Sequence, residues 1–125
     1  MSLVLDSGAL VALEHNERQM WVRLKAAQRD GDVPVTHAGV LGQVWRGSPR
    51  QARLPQALGG IDVRALDESL GRAAGKLLGV AGLPDVVDAA VVLLATDGDE
   101  IVTADLADLE QLAAASGRHV ELVHP

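Results

Sequence analysis

The 125 residues contain no cysteine, no phenylalanine and no tyrosine. Without thiols, the chain can form no disulfide, no thiolate zinc site and no cysteine nucleophile. Trp21 and Trp45 are the only aromatics, so packing falls to aliphatic side chains and nineteen alanines. Long apolar runs are lacking too. The longest, Ala89–Ala95, has seven residues, far short of the roughly 20 that span a bilayer. The opening Met1-Ser2-Leu3-Val4-Leu5-Asp6 has no basic stretch and meets an acid at once, so no secretory leader is expected and the cytoplasm is the expected compartment. Repeats, linkers and low-complexity stretches are absent, which leaves one domain over residues 1–125.

Basic residues are scarce at one end of the chain. Overall there are 11 Lys and Arg against 17 Asp and Glu, a net charge of −6. Residues 1–80 carry ten bases and eight acids, whereas residues 81–125 carry Arg118 alone against nine acids. The acidic end should repel anions unless metal ions sit on it, and the stretch from Arg46 to Lys76, with six bases and three acids, could meet a polyanion.

Hydrophobic patterning alternates short strands with helices. Leu3-Val4-Leu5 reads as a buried strand, followed by a helix from Ser7-Gly8 to about His15. A second helix over about 17–29 places Met20, Trp21, Leu24 and Ala27 at helical spacing. Val33–Thr36 is the next strand, and a helix bearing Val40, Leu41, Val44 and Trp45 runs to about Gly47. Trp45 is expected in the core, with base stacking as its other possible role. Ser48-Pro49 starts another helix that Pro55 should interrupt or kink. Ile61–Leu66 alternates as a strand, and Asp67 caps a helix to Ala81. A helix over about 85–96 is apolar almost all round, hence buried. Ile101–Thr103, a helix over 106–116 and Val120–Val123 complete the chain. Strands separated by helices specify a three-layer α/β/α sandwich with a five-stranded, mainly parallel sheet.

The acids fall where such a sheet places ligands, beyond the carboxyl ends of its strands. Asp6 directly follows the first strand, and Asp105 lies just after the fourth. Asp88 interrupts the apolar run Val86-Val87-Asp88-Ala89-Ala90-Val91-Val92, where a lone carboxylate needs a cation, a donor or an opening to water. Bringing Asp6, Asp88 and Asp105 around a divalent ion is the economical arrangement, and an all-oxygen set favours Mg²⁺ or Mn²⁺ over Zn²⁺. Asp85 precedes Asp88 by one turn and Asp108 follows Asp105 by three residues. Each suits either a supporting position behind the ligands, a place on a second metal, or a helix cap. The hydroxyls of Ser7 and Thr103 are placed to bond a ligand carboxylate, a phosphate or a helix end. His15, His37, His119 and His124 have no metal-ligand spacing, and exposed or capping roles are expected for them.

Four segments together, Leu5-Asp6-Ser7-Gly8-Ala9-Leu10, Val35-Thr36 leading a helix, Asp88-Ala89-Ala90-Val91-Val92-Leu93-Leu94-Ala95, and Val102-Thr103-Ala104-Asp105, resemble a PIN domain. In particular they resemble the VapC-type ribonuclease toxins of bacterial toxin–antitoxin modules. The resemblance spans the whole chain and implies a PIN-like fold and a Mg²⁺-dependent endoribonuclease. It also implies a homodimer held inactive by a cognate antitoxin, with RNA as the substrate. By position, Asp6, Asp88 and Asp105 match three of the family's acids. A fourth, usually Glu on the helix after the second strand, is Gln43 here, which keeps an oxygen donor but no charge. That substitution leaves open a catalytically weak or inactive domain that binds RNA or antitoxin. Glu14 could stand in for the missing carboxylate. Arg46 and Arg50, just beyond that helix, could contact RNA phosphates. Two other small α/β classes fit less well. A phospho-receiver needs paired acids after the first strand and a Lys after the last, and a haloacid-dehalogenase-type phosphatase needs Asp-x-Asp. The chain has neither.

Overall fold

Leu3-Val4-Leu5 and Glu100-Ile101-Val102 lie side by side at the centre of the sheet, where burial of Leu3–Leu5, Ile101 and Val102 suits a parallel pair. The computed structural model describes residues 1–125. Its five strands are β1 (Leu3–Leu5), β2 (Val35–His37), β3 (Asp62–Arg64), β4 (Glu100–Val102) and β5 (Glu121–Val123). They pair in the order β3-β2-β1-β4-β5, and every pair is parallel. Val4 faces Val35 on one side and Ile101 on the other. The chain winds outward from β1 to β3, then returns across the sheet to β4, so the strand order reverses between β1 and β4. That is the position at which open α/β sheets bind ligands.

Seven helices cover the sheet: α1 (Ser7–Glu14), α2 (Arg18–Arg29), α3 (Ala38–Val44), α4 (Arg53–Leu58), α5 (Glu68–Ala81), α6 (Val86–Leu94) and α7 (Leu106–Ser116). α1 packs with α2, α3 and α4, while α5, α6 and α7 pack on one another, giving the three layers. The core is aliphatic, built on fully buried Leu5, Leu10, Leu13, Leu24, Ile101 and Leu109 with alanines filling the gaps. α5 and α6 turn through 107° between them, and no single helix is long and apolar enough to cross a membrane. Arg118, the one base of the acidic end, turns its guanidinium onto the carbonyls of Leu93 and Ala95 and so closes the C-terminus of α6.

Three expectations change in the structure. Trp45 is 42% exposed rather than in the core, because α3 stops at Val44 and Trp45 is its extended C-cap. Pro55 breaks nothing: a 3-10 turn over Pro49–Gln51 precedes α4, and Pro55 sits in the first turn of α4, where no N–H is needed. The third strand contracts from six residues to Asp62–Arg64 because its alternating pattern lies on a sheet edge with one neighbour only.

Asp99, 7% exposed, ties the N-terminus to the turn before β4. Its carboxylate accepts from the Ser2 amide at 2.9 Å, the Thr96 amide at 2.9 Å and the Thr96 hydroxyl at 3.1 Å. Burial alone would raise its pKa. The Thr96 and Ser2 amides, the Thr96 hydroxyl and the N-terminal ammonium outweigh that and hold it below the ordinary carboxylate value. A depressed folded pKa contributes stability that is present above the unfolded value and lost as pH falls through the folded one. Asp99→Ala leaves these donors unpaired and should cost about 1–3 kcal/mol near neutral pH. Urea unfolding should show that loss, with the gap from wild type narrowing in acid. Equal midpoints near neutrality would refute it.

A carboxylate cluster at the strand ends

β1 runs out at Leu5, and Asp6 turns the chain into α1. Its amide donates to Val102 O at 3.0 Å, so Asp6 is bound to the end of β4 through the backbone as well. One carboxylate oxygen of Asp6 accepts from the Ser7 amide at 2.8 Å, capping α1. The other accepts from the buried Thr103 hydroxyl at 2.8 Å. Thr103 Oγ1 in turn accepts from the Asp105 amide at 2.9 Å, which sets the direction of the N-cap of α7. Asp85 caps α6, accepting from the amides of Val87 at 2.9 Å and Asp88 at 3.2 Å. Three N-caps, Asp6, Asp85 and Asp105, thus begin α1, α6 and α7, and short-range capping chemistry explains why these residue types stand there.

Asp88 is different, because no donor satisfies it. It lies in the first turn of α6, 8% exposed, and its carboxylate accepts no hydrogen bond within the chain. Desolvation raises its pKa first, and the charges of Asp6, Asp85, Asp105 and Asp108 add to that, bringing it to about 7. Carboxylate oxygens of Asp88, Asp105 and Asp108 all lie within 4.8 Å of one another, with Asp88 buried, Asp108 half-buried and Asp105 exposed. Asp6 stands outside that group, each of its oxygens accepting one hydrogen bond, yet its charge acts on Asp88. The two salt bridges of the molecule, Arg64–Asp62 and Arg72–Glu68, are elsewhere. Five carboxylates therefore share one corner with no cation. An all-oxygen donor set with one carboxyl held near neutrality fits a hard divalent ion such as Mg²⁺ or Mn²⁺.

The remaining candidates are distributed unevenly around this corner. Ser7 gives only its amide to Asp6, whereas Thr103 gives its hydroxyl. Gln43 is exposed on α3, and its side-chain amide makes no hydrogen bond. Glu14 ends α1 half-buried and is not among the charges that perturb Asp88. Arg46 is turned back on its own helix, donating to Gly42 O, Trp45 O and Gln43 O at 3.2, 2.7 and 3.1 Å. Arg50 is exposed in the 3-10 turn capped by Ser48. The largest cleft, between α7 and β5, includes none of the five acids.

Two buried polar residues at the ends of α3 carry no signal in the sequence pattern. His37, fully buried at the end of β2, accepts the Gly39 amide at Nδ1 and reaches Val87 O with Nε2, both at 3.0 Å. Its capping of α3 agrees with expectation, but its link to α6 spans fifty positions. Buried Gln51 accepts the Arg46 amide and donates to Val44 O, each at 2.8 Å, closing the other end of α3.

A carboxyl with a raised folded pKa binds its proton more tightly in the folded chain. The stability this gives is complete below the unfolded value of 3.8 and is lost as pH rises to about 7. In EDTA, Asp88→Asn should therefore melt above wild type at alkaline pH and level with it in mild acid. Thermal melts across that range check this, and a variant less stable than wild type at alkaline pH would contradict it.

In sequence, the chain matches no protein-family model and no curated protein. In structure, it is similar to a chain in the crystal structure of VapBC2 from Rickettsia felis bound to a DNA fragment from their promoter. That likeness has a TM-score of 0.72 at 13% identity and covers 98% of each chain. It is a likeness of fold over the full length, and it agrees with the PIN-like, five-stranded parallel architecture that the residues themselves resemble.

Proposed function

We propose that the chain is a divalent-metal-dependent endoribonuclease, the toxin of a toxin–antitoxin pair. The observation that carries this reading is the corner where Asp6, Asp85, Asp88, Asp105 and Asp108 meet without a counter-charge. It lies at the switch point of a sheet whose fold is shared with a VapBC2 chain. Asp88 and Asp105 are the central ligands, Asp108 is within reach of both, and Asp6 adds its charge from beside them. A bound Mg²⁺ or Mn²⁺ supplies Lewis acidity and an acidified water at this corner.

The chain's own residues do the rest. Thr103 and the Ser7 amide hold the Asp6 carboxylate in one orientation. Thr103 also fixes the start of α7, so Asp105 and Asp108 keep their spacing from Asp88. Exposed Asp105 and half-buried Asp108 leave the corner within reach of a polymer, and the exposed Arg50 offers an unpaired guanidinium to a phosphate. Arg46 can join it only by releasing the carbonyls at the end of α3. The reaction is hydrolysis: water adds to phosphorus, the P–O3′ bond breaks, and the departing 3′-oxygen takes a proton, leaving a 5′-phosphate. The expected assembly is a homodimer with a cognate antitoxin, working in the cytoplasm.

Purified protein should cleave single-stranded RNA with Mg²⁺ or Mn²⁺, and both Asp6→Ala and Asp88→Asn should abolish this. In the same buffer, free Mg²⁺ at about ten times its dissociation constant should stabilise wild type by about 1.4 kcal/mol. A wild-type melt that no divalent ion moves, with no cleavage, would overturn the reading.

One observation favours a second reading, a domain that binds RNA or antitoxin with weak or no catalysis. Gln43 stands where the resembled family carries Glu, and its amide is exposed and unpartnered. If a missing charge limits the site, Gln43→Glu should tighten Mg²⁺ by about 1–3 kcal/mol and speed cleavage. Titration calorimetry decides: unchanged affinity places Gln43 outside the metal's reach.

A further inference from the structure

We infer that His37 is a positioning residue for Asp88: it clamps the peptide unit on which Asp88 is mounted. The peptide joining Val87 to Asp88 has two polar ends. Its carbonyl accepts from His37 Nε2 at 3.0 Å, and its N–H donates to Asp85 Oδ1 at 3.2 Å. A planar amide moves as one unit, and hydrogen bonds at both its oxygen and its nitrogen resist its rotation, so the direction in which Asp88 leaves the backbone is set from outside α6 as well as within it. Nothing holds the Asp88 carboxylate itself, so its backbone mounting is what the chain provides to aim it.

The histidine is built for that task. A backbone amide can only donate, so Nδ1, facing Gly39 N at 3.0 Å, must be the acceptor. The ring proton is therefore on Nε2, the atom that faces Val87 O. Both nitrogens are used, and the ring is wholly buried. Gly39 makes the room. A Cβ there would lie 2.8 Å from His37 Cε1, 3.0 Å from Nδ1 and 3.1 Å from Leu66 Cδ2, closer than packed atoms allow. The ring thus sits in a slot bounded by α3, the segment after β3 and α6, and spans from the end of β2 to the residue before Asp88.

The inference rests on the proposed metal reading for its consequence but not for its geometry, and the test separates the two. The amide oxygen of Asn occupies roughly the place of Nδ1, and the longer Gln can present an N–H where Nε2 stands. His37→Asn keeps the cap on Gly39 and loses the bond to Val87. His37→Gln keeps a donor for Val87 and loses the cap. Mn²⁺ affinity by electron paramagnetic resonance, thermal stability, and amide exchange at Asp88 in metal-free protein are measured for wild type and both variants. His37→Asn should weaken Mn²⁺ by about tenfold or more, the usual range for losing a group that orients a ligand, and should speed exchange at Asp88. His37→Gln should lose stability yet hold Mn²⁺ within about threefold of wild type. A purely structural histidine predicts instead that affinity follows stability in both. Gly39→Ala, which leaves the histidine and displaces its ring, should act in the direction of His37→Asn and serves if that variant does not fold. Wild-type exchange at Asp88 in both His37→Asn and Gly39→Ala overturns the clamp. So does wild-type Mn²⁺ affinity in those variants. Wild-type protein that binds no Mn²⁺, with exchange at Asp88 accelerated in His37→Asn, overturns the metal reading and leaves the clamp standing.

Discussion

The hydrogen bond from Thr103 to Asp6 is the link on which the acidic corner depends. Strands of three residues give each ladder few bonds, so the carboxyl ends of β1 and β4 need further ties. Thr103 supplies one by donating to Asp6 at the end of β1 while accepting from the Asp105 amide at the start of α7. A single buried hydroxyl therefore fixes two acids from opposite ends of the chain relative to each other. The three carboxylates whose oxygens come within 4.8 Å of one another, Asp88, Asp105 and Asp108, lie beside this tie. The charge of Asp6 still reaches Asp88, so the corner carries a stronger negative field than its three nearest oxygens would produce.

That field is destabilising, and the fold tolerates it because stability is supplied elsewhere. The acids lie at one edge, whereas β1, β4 and the inner faces of α1, α6 and α7 bury aliphatic side chains in a continuous core. Asp99, also buried and acidic, shows the other solution to the same problem. Three donors meet it and its pKa falls, while Asp88 meets no donor and its pKa rises. Two buried aspartates eleven positions apart are thus set in opposite states by their partners alone. The unpaired one marks where a ligand can act, since strongly perturbed carboxyls with identifiable charge partners are a common mark of function.

Much of this was legible in the sequence, for physical reasons that differ by element. The apolar runs Leu3–Leu5 and Ile101–Val102 have no solvated alternative, so their burial and parallel pairing followed from pattern. Asp6 and Asp105 were legible because they end strands, and Asp88 because it interrupts an apolar helix. The Thr103 hydroxyl was placed correctly near an acid but not assigned to Asp6. Trp45 and Pro55 misled for one reason: periodicity assumes a continuous helix, and the chain instead ends α3 at Val44 and makes a 3-10 turn before α4. The roles of His37, Gln51 and Arg46 rest on bonds to backbone carbonyls. Every residue offers such a carbonyl, so side-chain identity carries no trace of the pairing.

Those three residues explain why α3 exists at all. Seven residues containing Gly39 and Gly42 would not hold a helix in water, where even good formers need about 12–15. Only Val40 and Val44 are buried along it, so packing alone contributes little. Side chains supply the difference at both ends, His37 at the N-terminus and Arg46 with Gln51 at the C-terminus. A helix made by its caps does not depend on the exposed side chain of Gln43, which makes no hydrogen bond. The chain has only two aromatic residues, and it presents one of them on the surface beside an unpartnered amide. The N-terminal cap of α3 also bonds the carbonyl before Asp88, so α3 and the first turn of α6 share a single imidazole ring.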